Sequence, residues 1–384
     1  MEVGKWYKNP WLLGFIWILA GILTGWKQYM LTGEHSFVNN FVIFKSSFGH
    51  FAHHLPLYLE YHKEYFDLYL YGPVFAILMA PFAVLPLGIS VVMWNVLNAG
   101  LLFWALMELP LGISKKSGIL WIVLNSLLTA LLNTQFHAIC ISMIIWSYIF
   151  VQRGRDFWSA SLIVLGILIK FYGIVGLAFF FFSKDRWRFA GYLVFWLVVW
   201  GLLPFMLGGM TYGWRCYGEW LAILQHKNEL NVDISNFRTD VCVMGMFRRI
   251  TGDGTLSNLW FLVPSMLLNI WVYFQPKKWG DLVFQLRMLA FVSIYLMLAS
   301  TGTESPTLVM AMPGLGIWFM LSEQKRWQWV LLVITLLISS FSPTDLFPKF
   351  LREGYIIRYG LMILPLLGVW LALAVDLLRG KRPL

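Results

Sequence analysis

Apolar and polar positions along this chain do not alternate in the short periods of a water-soluble core; they fall into long blocks. About 12 apolar segments approach the roughly 20 residues that a helix needs to cross a bilayer. They run over 11–30, 72–87, 89–109, 119–133, 136–151, 158–182, 189–208, 257–274, 284–300, 306–321, 328–341 and 356–378, several of them short or broken by proline. Two polar stretches are long, 31–71 and 209–256. No internal repeat is visible and nothing marks off a separate soluble domain. The pattern predicts an all-α, polytopic membrane protein forming a single integral domain over 1–384.

Composition agrees. Only 12% of residues are charged, against about a quarter in soluble domains, so most of the surface must face lipid. Aromatic residues make up 18%, which suits belts at the two membrane–water boundaries. The net charge of +10 would suggest nucleic acid in a soluble protein. Here no basic run with interleaved aromatics exists, and membrane lipid headgroups are the expected partners instead. Lys5 and Lys8 precede a first apolar run without a small-residue cleavage site, so that run is expected to be retained as a helix. Cys140 reads as packing. Cys216 and Cys242 share one polar stretch, and the unpaired state is the expected one.

Loop charges orient the chain. Lys5/Lys8, Lys184/Arg186/Arg188, Lys277/Lys278, Lys325/Arg326 and Arg379/Lys381/Arg382 fall on one side, which the positive-inside rule makes cytoplasmic. Both termini are then cytoplasmic, with 31–71 and 209–256 outside the cell membrane. Lys115/Lys116 and Arg153/Arg155 land on the wrong side. Either the rule is locally broken or some short segments are re-entrant.

Candidate chemistry is sought where polarity is most costly. Lys170 sits centrally in the apolar run 161–182, and a charge at mid-membrane depth costs about 3 kcal/mol on insertion scales. It needs an anion, either a carboxylate on a neighbouring helix or a phosphate entering from the membrane. Glu304, Asp345 and Asp67 arrive in outer-side loops, the first two flanked by proline; each could equally be a solvated acid or a helix N-cap. The first loop carries five histidines: His35, His50, His53, His54 and His62. The spacing of His50, His53 and His54 predicts one shared helical face. Zinc is one reading, but no acid lies between them. Hydrogen bonding to phosphate or sugar hydroxyls, or polar tips in the headgroup layer, fits better. Asn133-Thr134-Gln135 breaks two apolar helices, and its side is open.

A cytoplasmic N-terminus, one helix, a long outer loop with amphipathic segments and then many helices resembles the GT-C superfamily of integral-membrane glycosyltransferases. Asn39-Asn40-Phe41-Val42-Ile43-Phe44-Lys45, Leu57-Tyr58, Tyr71-Gly72-Pro73-Val74-Phe75-Ala76, Asn133-Thr134-Gln135 and Ile169-Lys170-Phe171-Tyr172 resemble glycosyltransferase family 87. The resemblance implies transfer of a mannose-like hexose, or a pentose, from a polyprenyl-phosphate donor to a glycolipid or glycan acceptor outside the cytoplasmic membrane. It implies a catalytic Asp early in the first outer loop. This chain has Asn39 or Asn40 there, and an amide cannot act as a base. Asp67 is the expected substitute, with Glu64 and Glu60 behind it.

Lys170 matches the family's intramembrane lysine, and Lys45 and His50 are the other candidates to contact the donor phosphate. Asn39, Asn40, Gln135, Glu304 and Asp345 are candidate substrate contacts. No metal ligand set is identified, though a divalent cation stays open as a cofactor beside the lipid-linked donor. No nucleotide-binding motif is found, which agrees with a lipid-linked donor. A transporter or flippase of a lipid-linked sugar would also explain Lys170 and the proline-broken helices. A non-catalytic scaffold would explain the missing Asp.

Overall fold

A computed structural model describes residues 6–31 and 38–380. Lys5, His35, Lys381 and Arg382 lie outside the described residues. The chain runs through α1 (Pro10–Met30), α2 (Asn39–Ala52), α3 (Pro73–Leu78), α4 (Ala80–Ala83), α5 (Leu87–Met107), α6 (Ile113–Leu132), α7 (His137–Gln152) and α8 (Asp156–Ile169). A 3-10 segment, Phe171–Phe182, leads to α9 (Arg186–Gly208), α10 (Met210–Val232), α11 (Val243–Thr251), α12 (Leu259–Tyr273) and α13 (Leu282–Ala299). A 3-10 turn, Ser305–Met310, precedes α14 (Met312–Met320), followed by α15 (Arg326–Thr335), α16 (Lys349–Leu351) and α17 (Leu364–Arg379). No strand occurs among the described residues. Six helices there are long and apolar enough to cross a membrane: Pro10–Met30, Leu87–Met107, Ile113–Leu132, Arg186–Gly208, Leu282–Ala299 and Leu361–Arg379. The protein is a multi-pass, all-α membrane protein.

Two expectations are corrected. The segment 72–87 is not a span. Pro73 and Pro81 each open a short helix, as proline does at a first turn, and the pair stays part of the first long loop. The polar stretch 209–256 holds regular structure, its first half being the 23-residue helix α10. The apolar run 158–182 is not one straight helix. It breaks at Lys170, whose backbone is extended (φ −153, ψ 119), and the two limbs fold back on each other.

The pairing of those limbs is antiparallel. A Cβ on Gly173 would meet Gly166 C at 2.4 Å, and one on Gly176 would meet Ile163 Cγ1 at 2.7 Å. At the open end Ser183 Oγ donates to Asp156 Oδ2 at 2.5 Å. The contacts step evenly back along both limbs, so 156–183 is a hairpin with both ends on one side and Lys170 at its tip. Each limb is about 21–24 Å long at the usual rises, short of the roughly 30 Å hydrocarbon layer. Backbone that leaves regular helix at such depth survives only when buried in protein or facing a polar cavity, and α3, α7 and α9 supply that cover. Val74, Val164 and Leu168 form a buried cluster beneath Leu193, Trp196, Trp200 and Tyr217.

The chain divides into two compact units. One holds 14–105 and 130–227, and therefore the first long loop and the hairpin. The other holds 106–129 and 228–384 with the first residues. In this second unit the loop before α11 is tied by a buried ion pair. Arg248 is 1% exposed, and its Nη2 donates to Asp240 Oδ2 at 2.7 Å. Its other donors reach Leu256 O and Asn258 Oδ1. Burial raises the Asp240 carboxyl above its ordinary range, while Cys242 and Arg248 pull it back down. The amides of Asp240 and Val241 bond to the carbonyls of Thr301 and Thr303, pinning this loop to the turn after α13. All three cysteines are buried and unpaired.

Candidate functional site

Polar groups gather at the hairpin tip. Lys170 Nζ lies 3.0 Å from His137 Nε2. An ammonium only donates, so Nε2 accepts and the ring proton sits on Nδ1. That Nδ1 is buried without a partner among the described residues. The ammonium also lies 5.3 Å from the ring centre of Tyr71 and 4.9 Å from that of Tyr172, within cation–π range. His137 opens α7, directly after the Asn133-Thr134-Gln135 turn. That turn is enclosed: Thr134 is fully buried with φ +47, and its carbonyl accepts from Trp94 Nε1 at 3.1 Å.

The first long loop closes over this tip. The Gly72 amide donates to Ile169 O at 2.9 Å. A Cβ on Gly72 would lie 1.8 Å from Leu168 O, so only glycine fits. Tyr58 and Tyr69 hydroxyls donate to Tyr71 O and Gly72 O. Lys170 is therefore not stranded mid-helix. It sits where the loop meets the hairpin, beside polar backbone.

Asp67 stands four residues before Tyr71, at most about 14 Å of extended chain away. Its backbone is left-handed (φ +78), a conformation that Asp tolerates better than most residues. Its carboxylate is half exposed; Oδ1 accepts from the Leu68 amide at 2.8 Å and lies 3.5 Å from Lys227 Nζ. What holds it there is Asn39. The Asn39 Nδ2 donates to Phe66 O at 2.6 Å, and the Phe66 amide donates to Asn39 Oδ1 at 3.0 Å. This two-bond clasp brings the residue next to Asp67 onto the N-terminus of α2, where the family resemblance expects its acid.

The remaining candidates are placed differently. Glu64 is 3.2 Å from His50 Nε2, and the His50 ring stacks on Tyr61 at 3.9 Å. Burial, then Glu64, raises the phenols of Tyr61 and Tyr65 above their ordinary value. Lys45 donates to Phe82 O and Ala83 O, capping α4, and burial lowers its ammonium below the ordinary value. Of the three groups expected to contact phosphate, Lys170, Lys45 and His50, each has its own partners. The histidine face is also corrected. α2 ends at Ala52, His53 follows as its C-cap, and His54 is left-handed (φ +56) against Tyr212.

Asn40 Nδ2 donates to Asn133 O at 3.0 Å, joining α2 to the turn that carries Gln135, itself half-buried. In the other unit Glu304 caps the 3-10 turn that follows it, and fully exposed Asp345 pairs with Arg352 at 2.7 Å. Sequence reasoning passed over His137 and gave Tyr172 no role beyond its place in the Ile169-Lys170-Phe171-Tyr172 motif. A histidine two residues beyond a polar break in an apolar run was the available signal for the first.

No curated protein matches this chain. Among solved structures, the crystal structure of ArnT from Cupriavidus metallidurans bound to undecaprenyl phosphate is similar at 14% identity, with a TM-score of 0.39, over 96% of this chain and 77% of that one. That likeness is too distant to transfer any residue. Glycosyltransferase family 87 is matched over residues 69–343, a range that holds Gln135, Lys170 and Glu304 and begins just after Asp67. With well over half of its length matched, the chain belongs to glycosyltransferase family 87.

Proposed function

We propose that this glycosyltransferase takes a hexose, mannose-like, or a pentose from a polyprenyl-phosphate-linked donor and passes it to a glycolipid or glycan at the outer face of the cytoplasmic membrane. The observation that carries this reading is the meeting of Lys170 with the end of the loop that bears Asp67. A lipid carrier brings its phosphate to the membrane boundary, and a hairpin tip delivers a cation there. Asp67 takes the proton from the acceptor hydroxyl. The acceptor oxygen attacks the anomeric carbon as the bond to the phosphate oxygen breaks, and the electron pair leaves with the phosphate. Lys170, steadied by His137 and flanked by two tyrosine rings, offsets the charge that then develops. Glu64 is committed to His50, which favours Asp67 as the base.

Orientation follows from the corrected elements. If 72–87 stays in the loop and 156–183 turns back, ten crossings remain: the six long helices and four of the six shorter apolar ones. Lys115/Lys116 and Arg153/Arg155 then join Lys8, Lys184/Arg186/Arg188, Lys277/Lys278, Lys325/Arg326 and Arg379 on one side. That agreement with the positive-inside rule supports cytoplasmic termini.

The test is to give purified protein in lipid nanodiscs a radiolabelled polyprenyl-phosphate sugar, with and without extracted glycolipid acceptor. Label should pass to the acceptor, and Asp67→Asn should slow transfer about 10²–10⁴-fold while donor binding and melting temperature hold. Label that crosses a vesicle membrane with its donor bond intact would indicate a transporter. A protein that neither binds nor consumes any such donor would be a scaffold.

A further inference from the structure

One face of α10 lies along the first long loop. At about 100° per residue, Tyr212, Cys216, Trp220 and Lys227 fall within an arc of about 80°. The Tyr212 hydroxyl donates to Leu55 O at 2.7 Å, and Trp220 Nε1 donates to Leu70 O at 3.3 Å. Cys216, between them, is buried. Lys227 Nζ lies 3.5 Å from Asp67 Oδ1. Trp220 is also parallel to the Phe171 ring, with centroids 5.1 Å apart, so the same face reaches the residue after Lys170. Lys227 follows Trp220 by seven residues, about 10 Å along the axis. Arg215, the other strong cation of α10, is turned instead to Glu219 of its own helix, at 2.7 Å.

The two oxygens of Asp67 are not equivalent. Oδ1 accepts from the Leu68 amide at 2.8 Å and faces Lys227. Oδ2 has no hydrogen-bond partner among the described residues, and the side chain is 50% exposed. The Leu68 amide belongs to the same turn as Asp67 and moves with it. Lys227 stands 160 residues further along the chain and fixes the carboxylate against a separate helix. We propose that Lys227 is the positioning residue of the base: by holding Oδ1 it turns Oδ2 outward, to take the proton of the acceptor hydroxyl. The inference rests on the proposed role of Asp67. An ion pair this open to water adds little to stability, so its loss is expected in turnover and not in melting.

The experiment uses the full chain in nanodiscs, with the polyprenyl-phosphate sugar that wild type consumes and extracted glycolipid as acceptor. Lys227→Met should lower kcat about tenfold, a part of the roughly 10²–10⁴-fold that a positioned base supplies. Melting temperature and donor binding should hold. In an Asp67→Asn background the same substitution should have no further effect, because two groups acting as one unit are not additive. Lys227→Cys allows chemical rescue. The three native cysteines are buried, which leaves position 227 as the target of thiol reagents. Bromoethylamine restores an ammonium at the reach of lysine, and iodoacetamide leaves an uncharged amide of the same reach. The ammonium should restore turnover and the amide should not. Arg215→Met should leave turnover unchanged.

Wild-type turnover in Lys227→Met overturns the inference. Equal rescue by the two reagents also overturns it, by reducing Lys227 to a packing role. So does a loss that persists in the Asp67→Asn background or that reads as weaker donor binding, since Lys227 then serves the phosphate. A matching loss in Arg215→Met would show a general effect of charge on α10 and has the same result. Wild-type transfer by Asp67→Asn alone removes the base assignment itself, and this inference with it.

Discussion

The tightest contact in the hairpin gives a test of how Lys170 is positioned that leaves Lys170 untouched. In Gly173→Ala the new Cβ would sit 2.4 Å from Gly166 C and 2.5 Å from Ile167 N. Both are backbone atoms of α8 and cannot swing aside. Restoring ordinary contact needs the limbs to part by about 1 Å at a point three residues from the tip. The Lys170–His137 separation is 3.0 Å, and a shift of the tip by that amount away from His137 would take it beyond hydrogen-bond range. Overpacking of this kind typically costs about 1–3 kcal/mol, so melting should fall by a few degrees. Misplacement by about 1 Å can lower turnover about 10²-fold.

Gly201→Ala is the matched control. It lies in α9, where an added Cβ meets nothing within 4 Å, and alanine is the better helix former by about 1 kcal/mol. It should leave turnover unchanged and stability equal or higher. Both variants would be followed by thermal unfolding in nanodiscs and by the radiolabel transfer assay. Wild-type turnover with wild-type melting in Gly173→Ala would refute the claim that close packing of the limbs sets the position of the ammonium.

Three further outcomes are expected. Lys170→Met should keep the fold yet abolish donor turnover, and Lys170→Arg should restore only part of it, because a planar fork and a point charge differ in reach; full activity in the Met variant would remove Lys170 from the site. Asp240→Asn leaves the buried Arg248 guanidinium without its counter-charge and should destabilise by about 3–5 kcal/mol, read as a lower melting temperature of the protein. A cysteine placed at His53, which is exposed, should react with an impermeant thiol reagent in intact cells; labelling confined to permeabilised cells would reverse the orientation.

The membrane class and most of the helices were legible because long apolar blocks have one physical solution in lipid. The hairpin was not. A 3.6-residue period and a 3.0-residue period look alike over 12 apolar residues. What bends the run is tertiary: Gly166 and Gly173 allow the limbs to touch, and the Gly72 amide takes the carbonyl of Ile169 at the tip. The two loops that defied the charge rule, Lys115/Lys116 and Arg153/Arg155, lie in the sequence between the false span at 72–87 and this turn. Pro73 and Pro81 flagged the false span at 72–87, but proline also occurs within true spans such as α9, so it could not decide. Of the site, Lys170 stood out as a charge in an apolar run. His137 did not, since a lone histidine after a polar turn says nothing of what it meets. Asp67 was found by elimination, and the clasp that holds it joins positions 27 residues apart, beyond any local pattern.

The clasp described above restricts what position 39 can hold. The Asn39 side chain both gives and receives a hydrogen bond with the same peptide group pair at Phe66. An aspartate at 39 could receive but not give, and would set a carboxylate oxygen against the Phe66 carbonyl at 2.6 Å. Asn39→Asp would therefore free the segment that carries Asp67 as it adds its own carboxylate, so an acid at 39 and the present placement of residue 67 exclude each other. A substitution at 67 is then informative only while the amide at 39 is kept.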